Sequence, residues 1–262
     1  MFDLKGHTAL VTGGTLGVGR AIAESLAKAG ANIVLHGLRA DAAALAAVSL
    51  IRACGVEAHL VTGDLSGPTE PAIEQLVSDA VAARGDIDLL VSNAGTYSEP
   101  AFLDMDFATF DRTMKLNVYS HFFLVQQLAR KWTSEGTGGR VLLTGSINGR
   151  LAEHTHAAYD TSKGAIEMMV RSLCVTLAPY GIRVNGMAPG LVRTPLTAPA
   201  LDLPGVEAWM KLHTPNGAVP GPEVCGPAAV FLLSDEAWHV QGQMLLVDGG
   251  MSVWQQPDPP TS

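Results

Sequence analysis

Cysteine is scarce: 3 in 262 residues. Cys54, Cys174 and Cys225 are odd in number, widely spaced and without a histidine at zinc-ligand spacing. That excludes a disulfide framework and predicts reduced, partly buried thiols. Basic residues are also few, 17 Lys plus Arg against 25 Asp plus Glu, for a formal net charge of −8. A protein that grips a phosphate backbone needs the opposite balance, so no nucleic-acid partner is expected. No basic amphipathic stretch suits an anionic membrane. No run approaches about 18 uncharged apolar residues, and the opening Met1-Phe-Asp-Leu-Lys-Gly6 lacks the apolar core of a signal peptide. The cytoplasm is therefore the expected location.

What is present describes one well-packed domain, with 47% apolar and 16% charged positions. Short aliphatic runs at 8–11, 32–35, 58–61, 87–91, 140–144, 182–187 and 243–247 read as strands. Segments near 19–29, 40–54, 69–84, 106–133, 157–179 and 222–234 carry apolar residues at three- and four-residue spacing and read as helices. Strands apolar throughout that alternate with helices imply an α/β fold: a doubly wound parallel sheet of seven strands, covered on both faces. Residues 189–221 hold Pro189, Pro195, Pro199, Pro204, Pro215 and Pro220 around a short helical patch at 205–212. This is too long for an ordinary connection, and a substrate loop or lid over about 190–220 is expected. The domain spans 1–254, and a flexible tail, 255–262, follows because its prolines cannot continue a sheet.

Directly after the first strand comes Thr12-Gly13-Gly14-Thr15-Leu16-Gly17-Val18-Gly19, with a helix beginning at about Val18. Glycines in this G-x-x-x-G-x-G spacing let the chain turn tightly, approach a pyrophosphate with its amides and pack a helix close to the strand. A glycine-rich turn without a ligand is the plainer alternative. No Gly-Lys-Ser/Thr follows, which excludes a P-loop. About 20 residues past Gly17, where dinucleotide sites often carry an acid for the adenosine ribose, the chain reads Leu35-His36-Gly37-Leu38-Arg39. Without the acid, NAD is not clearly selected. Arg39 either pairs with a 2′-phosphate or is a solvated residue at a helix start.

Tyr159-Asp-Thr-Ser-Lys163 places a phenol and an ammonium at i and i+4, on one helix face. A phenol with a pKa of about 10 is a poor general base at neutral pH, and a nearby cation lowers that value. A surface tyrosine lying over a lysine stem is the alternative. Ser146 ends the strand Arg140–Thr144, and Asn93-Ala94-Gly95 ends the strand Ile87–Val91. Both lie at carboxyl ends of parallel strands, where open α/β sheets bind ligands.

From Thr8 to about Val253 these motifs together resemble the short-chain dehydrogenase/reductase family, whose members have a Rossmann fold. Thr12 to Gly19 is similar to its cofactor glycine motif, Asp64-Leu65 to its adenine contact and Asn93-Ala94-Gly95 to its strand-stabilising motif. Pro189-Gly190-Leu191-Val192-Arg193-Thr194 is similar to its nicotinamide-carboxamide segment, and Val247-Asp-Gly-Gly250 to its closing strand. Asn117, Ser146, Tyr159 and Lys163 resemble the catalytic tetrad, with Ser146 and Tyr159 13 residues apart, the family's usual interval.

The resemblance implies hydride transfer between a nicotinamide and a carbinol or carbonyl carbon. Tyr159 would be the general acid/base and Ser146 would orient the substrate oxygen. Lys163 would lower the tyrosine pKa and bind the ribose, and Asn117 would hold a relay water. A helix-kink role for Asn117 is the alternative. Family members that use NADP carry a basic residue where this chain has Leu16, and those that use NAD carry an acid where it has Gly37. The segment Asn32–Leu38 also resembles hydroxybutyrate dehydrogenases that use NAD without that acid, so NAD or NADP is expected, with a lean to NAD.

Substrate selection is expected from residues 148–157 and the loop 190–215, with His154, His156, Leu151, Leu191, Trp209 and Met210 as candidates beside Ser146. His154-Thr-His156 lacks a third metal ligand nearby, and no metal is expected. The favoured substrate is a small polar alcohol, sugar or hydroxy acid. A 3-oxoacyl-carrier-protein reductase is one rival; Tyr180 stands where a basic residue would help dock an acidic carrier. A non-catalytic dinucleotide sensor is the other, and the intact tetrad speaks against it. Apolar residues on more than one face of 106–133 and 157–179, Phe107, Phe110, Phe122, Phe123 and Met168 among them, predict helix pairing between subunits. The resemblance implies a homotetramer with a second contact near Val247.

Overall fold

The computed structural model describes residues 2–97 and 100–254. The expected tail at 255–262 lies outside them. Seven strands form one parallel sheet in the order β3-β2-β1-β4-β5-β6-β7. They are β1 (Thr8–Val11), β2 (Asn32–Gly37), β3 (Ala58–Thr62), β4 (Leu89–Ser92), β5 (Gly139–Thr144), β6 (Ile182–Pro189) and β7 (Met244–Val247). Side chains alternate between the faces of each strand, so one apolar run serves two cores. Ala9, Val11, Ile33, Leu35, Leu89 and Val91 face a core shared with α1 (Gly17–Lys28), α2 (Ala42–Arg52) and α9 (Gly226–Leu233). Leu10, Val34, Leu90, Val141 and Leu143 face the other, shared with α3 (Thr69–Ala83), α5 (Ser120–Glu135) and α6 (Ala157–Leu177). Trp132 anchors this second core, buried and donating its indole N–H to the Ile87 carbonyl at 2.7 Å.

Chain direction across the sheet reverses between β1 and β4, which are neighbours although two strands intervene in sequence. The crevice beyond their carboxyl ends is where such a sheet takes a ligand.

Three expectations change in detail. The single helix at 106–133 is two, α4 (Phe107–Met114) and α5, separated by a wider π turn over Lys115–Tyr119 that closes with Ser120 N–H donating to the Lys115 carbonyl. α1 begins at Gly17 rather than Val18. The long loop after β6 holds α7 (Ala198–Leu201) in addition to α8 (Val206–Leu212), which falls on the expected patch. Among the described residues no helix is long and apolar enough to cross a membrane. The three thiols are free, Cys225 buried and Cys54 and Cys174 half-buried.

Candidate active site

The glycine turn after β1 closes on the end of β4. Thr12 Oγ1 accepts the N–H groups of Asn93 (2.9 Å) and Ala94 (3.1 Å), and Asn93 Nδ2 donates back to the Thr12 carbonyl at 3.1 Å. Gly13 has φ +59°, and a Cβ there would stand 2.9 Å from Ala94 Cα, so only glycine brings the two strand ends this close. From the β2 side, the backbone N–H of Gly14 donates to the His36 carbonyl at 2.9 Å. The buried imidazole of His36 joins three segments, accepting Gly13 N–H at Nδ1 (3.4 Å) and lying 3.1 Å from the Gly63 carbonyl through Nε2. A carbonyl only accepts, so Nε2 carries the proton. Burial pushes the His36 pKa down to about 4, against the bond to Gly63, which favours the charged form.

Over these ends opens a cleft of 470 Å³. Gly13, Leu16, Gly17, Val18, Asn93, Ala94, Gly95, Ser146, Tyr159, Lys163, Pro189, Gly190, Val192 and Thr194 line it, joined by Thr96, Thr144, Gly145 and Pro195–Thr197. Thr15, Gly19, Gly37, Leu38, Arg39, Asp64, Leu65 and Leu191 are not among the lining. Gly37 packs beneath Thr15, whose Cγ2 would lie 2.5 Å from any Cβ at 37, so a side chain there would require Thr15 to shift. Leu38 and Arg39 are exposed at the bend that follows β2. The Asp64 carboxylate is occupied by Ser66 N–H (2.8 Å) and Oγ (2.7 Å), and these bonds hold its pKa below the ordinary carboxylate range. The Leu65 side chain belongs to the second core.

The four tetrad candidates come from three elements: Ser146 from the turn after β5, Tyr159 and Lys163 from α6, and Asn117 from the π turn. Ser146, just past β5, caps a short turn by accepting Asn148 N–H at 3.1 Å, and its hydroxyl also bonds the Tyr159 phenol. Lys163 is buried, donates to the Thr144 carbonyl at 3.0 Å, and stands 5.6 Å from the centroid of the Tyr159 ring. Burial lowers its pKa to about 8.

The Tyr159 phenol moves the opposite way from the expectation that Lys163 lowers it. Burial pushes it up to about 12, the bond from Ser146 opposes this, and the Asp160 and Glu153 carboxylates add to it. With the ammonium turned to the Thr144 carbonyl, desolvation wins. Asn117 lies in the π turn, where its Oδ1 accepts Thr96 N–H (2.8 Å) and its Nδ2 donates to the Thr96 carbonyl and Ser162 Oγ, both at 3.0 Å. Both amide hydrogens are spent on protein, and the side chain ties the post-β4 loop to α6.

Of the substrate candidates, His156 reaches the tetrad. Its ring is 4.7 Å from Tyr97 and 6.4 Å from Tyr159, and Tyr97 meets Tyr159 edge-on at 5.5 Å. His154 is exposed, and Trp209 stacks on His213 at 3.8 Å in the loop after β6.

Thr12, His36, Asn148 and Glu153 fall inside segments that the sequence singled out but without these roles, and Thr96, Tyr97, Ser162 and His121 escape sequence reading. The last is fully buried with Nε2 donating to the Ala94 carbonyl at 3.0 Å, and burial first, then the charge of Lys163, lowers its pKa to about 3. A histidine inside an otherwise apolar run, as at 36 and 121, is the one signal that could have found two of them.

The family model described as enoyl-(acyl carrier protein) reductase matches residues 13–252. L-rhamnose 1-dehydrogenase (NADP(+)) of Thermoplasma acidophilum is 36% identical over 97% of this chain and 99% of its own length. The 5-keto-D-gluconate 5-reductase of Escherichia coli K12 is 33% identical over 97% and 98%. The crystal structure of a gluconate 5-dehydrogenase from Burkholderia cenocepacia in complex with NADP and tartrate superposes with a TM-score of 0.90 at 31% identity, covering 97% of this chain and 98% of that one. The chain belongs to the short-chain dehydrogenase/reductase family. It is thus an NAD(P)-dependent oxidoreductase.

Proposed function

We propose that this short-chain dehydrogenase transfers a hydride between NAD(P) and a secondary alcohol or ketone of a small polar substrate: a sugar, polyol or hydroxy acid. The observation that carries the reading is the Ser146–Tyr159 hydroxyl pair, with Lys163 behind the ring, at the mouth of a glycine-walled cleft. The residues fit a dinucleotide. A Cβ on Gly13 would fill the cradle, the amides at the start of α1 suit a pyrophosphate, and Arg39 is exposed with no ion pair among the described residues. When bound, the nicotinamide supplies or accepts the hydride. Gly13 to Val18 would hold the pyrophosphate, Leu38 and Arg39 the adenosine ribose, Asn93 to Gly95 the turn between them, and Pro189 to Thr194 the nicotinamide side.

Within that frame the chain's own groups manage the proton. The Tyr159 hydroxyl, protonated at neutral pH, donates to the developing alkoxide during reduction and recovers the proton during oxidation. Ser146 donates a hydrogen bond to the same substrate oxygen as negative charge gathers on it. The two remaining hydrogens of the Lys163 ammonium serve the cofactor ribose. Free thiols and the need for a dinucleotide pool fit a cytoplasmic enzyme.

An acyl-carrier substrate is disfavoured because the charged groups nearest Tyr159 on this side, Asp160 and Glu153, are acidic, whereas an acidic carrier docks on basic ones. The test is a panel of sugars, polyols, hydroxy acids and acyl thioesters with both cofactors, followed by NAD(P)H absorbance. Tyr159→Phe keeps the ring but not the proton. Its kcat is expected to fall at least about 100-fold with cofactor affinity retained; a variant with a tenth of wild-type turnover would contradict the assignment.

A further inference from the structure

That reading admits both charged and uncharged substrates, and the wall beside Tyr159 distinguishes them. Asn148, fixed through Ser146, directs Nδ2 to Glu153 Oε1 (3.1 Å) and Asp160 Oδ1 (2.8 Å), and the Glu153 N–H closes the loop onto Asp160 Oδ2 at 3.0 Å. The other Glu153 oxygen is 3.7 Å from His156 Nε2, and the His156 and Tyr97 rings stand against Tyr159. Glu153 and Asp160 are the carboxylates felt at the phenol. Asp160 is bound from both sides, whereas the Glu153 side chain is 52% exposed and its second oxygen faces His156 at the longer 3.7 Å.

Beside His156, no lysine or arginine among the described residues nearby is available to balance them. Arg150 binds both oxygens of Glu167 at 2.9 Å, and Arg171 binds the same carboxylate. Arg193 is held by Asp202 and Glu207, and Lys211 by Glu207. Lys163 is buried against the Thr144 carbonyl. A substrate carboxylate would meet like charge with no lysine or arginine to pair with, in a partly desolvated site. Hydroxyl groups, in contrast, find two carboxylate oxygens, an imidazole and a phenol.

Building on the proposed function, we propose that the enzyme takes an uncharged polyhydroxylated substrate, an aldose or a polyol, in preference to an aldonate, and that Glu153 determines this choice by accepting hydrogen bonds from substrate hydroxyls while repelling acids.

The experiment compares kcat/KM for neutral aldoses, polyols and aldonates in the wild-type enzyme, Glu153→Gln and Glu153→Arg, at saturating cofactor and fixed ionic strength. The wild type is expected to favour the best neutral substrate over the best aldonate at least about 30-fold. Glu153→Gln keeps the size but not the charge. KM for the neutral substrate should rise about tenfold with kcat nearly kept, and the aldonate-to-neutral ratio should rise at least tenfold, further still in Glu153→Arg. Cofactor dissociation constants measured by fluorescence report whether each variant is folded, and a misfolded Arg variant leaves the Gln comparison decisive. A wild type that prefers aldonates, or a ratio unmoved in Glu153→Gln, overturns the inference while leaving the polar-substrate reading intact. Turnover confined to apolar ketones or acyl thioesters overturns both.

Discussion

His36 and His121 show how much a single buried side chain can decide. Each is a neutral imidazole that donates through Nε2 to a backbone carbonyl, and burial lowers their pKa values to about 4 and about 3. As pH falls below the ordinary 6.5 the unfolded chain takes up protons first, so folding stability declines from there down to about 4. For His36 the loss is roughly 3 kcal/mol at one order-of-magnitude conversion. Carboxylates with ordinary pKa values stay mostly ionised down to about pH 5, so comparing thermal melts of wild type and variant in that interval singles out His36. The midpoint should fall with pH in the wild type and fall less in His36→Gln, which keeps a donor for Gly63 but does not titrate. A wild-type midpoint flat across this interval would contradict the assignment.

The loop 190–220 carries the short helices α7 and α8 beside the cleft. It leaves β6 at Pro189 and returns at Pro220, where Arg193 N–H donates to the carbonyl at 2.8 Å, and the Arg193 guanidinium ties Asp202 after α7 to Glu207 in α8. These pairs are exposed and screened by solvent, so losing both loosens the loop without unfolding the domain. Arg193→Leu should raise substrate KM about five- to tenfold with a smaller change in kcat, and proteases should cut between 194 and 215 faster. Unchanged KM and unchanged cleavage would mean that the pairs do not hold the loop. The split of the 106–133 segment has a similarly remote cause. Apolar spacing is helical on both sides of the π turn, while the groups that claim Asn117 belong to Thr96 and Ser162, which no local pattern announces.

Across the whole molecule, an uncovered apolar band runs over one side. Phe107 is 82% exposed and Val175 77%, with Phe110, Phe122, Phe123 and Met168 also outward. Val125, Leu128 and Met169, on the same helices, point into the second core. An apolar surface of this extent calls for a partner, and we propose a homotetramer in which α4, α5 and α6 pair across a two-fold axis. Light scattering at low micromolar concentration should give four times 27.4 kDa. Phe123→Glu, introducing charge where ring meets ring, should lower the mass; a wild-type monomer with full activity would refute the interface.

The sequence by itself determined the sheet, its class and the positions of the glycine turn, Ser146, Tyr159 and Lys163, because these rest on periodicity and covalent spacing that a chain carries before it folds. Apolar runs dictate buried strands, and four residues of helix bring a phenol and an ammonium to one face. Only the tertiary structure decided the upward shift of the phenol, the neutrality of His36 and the acid wall at Glu153 and Asp160. It also decided that Gly37 packs directly beneath the Thr15 side chain. Each of these depends on which distant groups fold removes from water together: Thr12 with Asn93, His36 with Gly63, Asn148 with Asp160. Desolvation and pairing act through space, and space is what the chain acquires last.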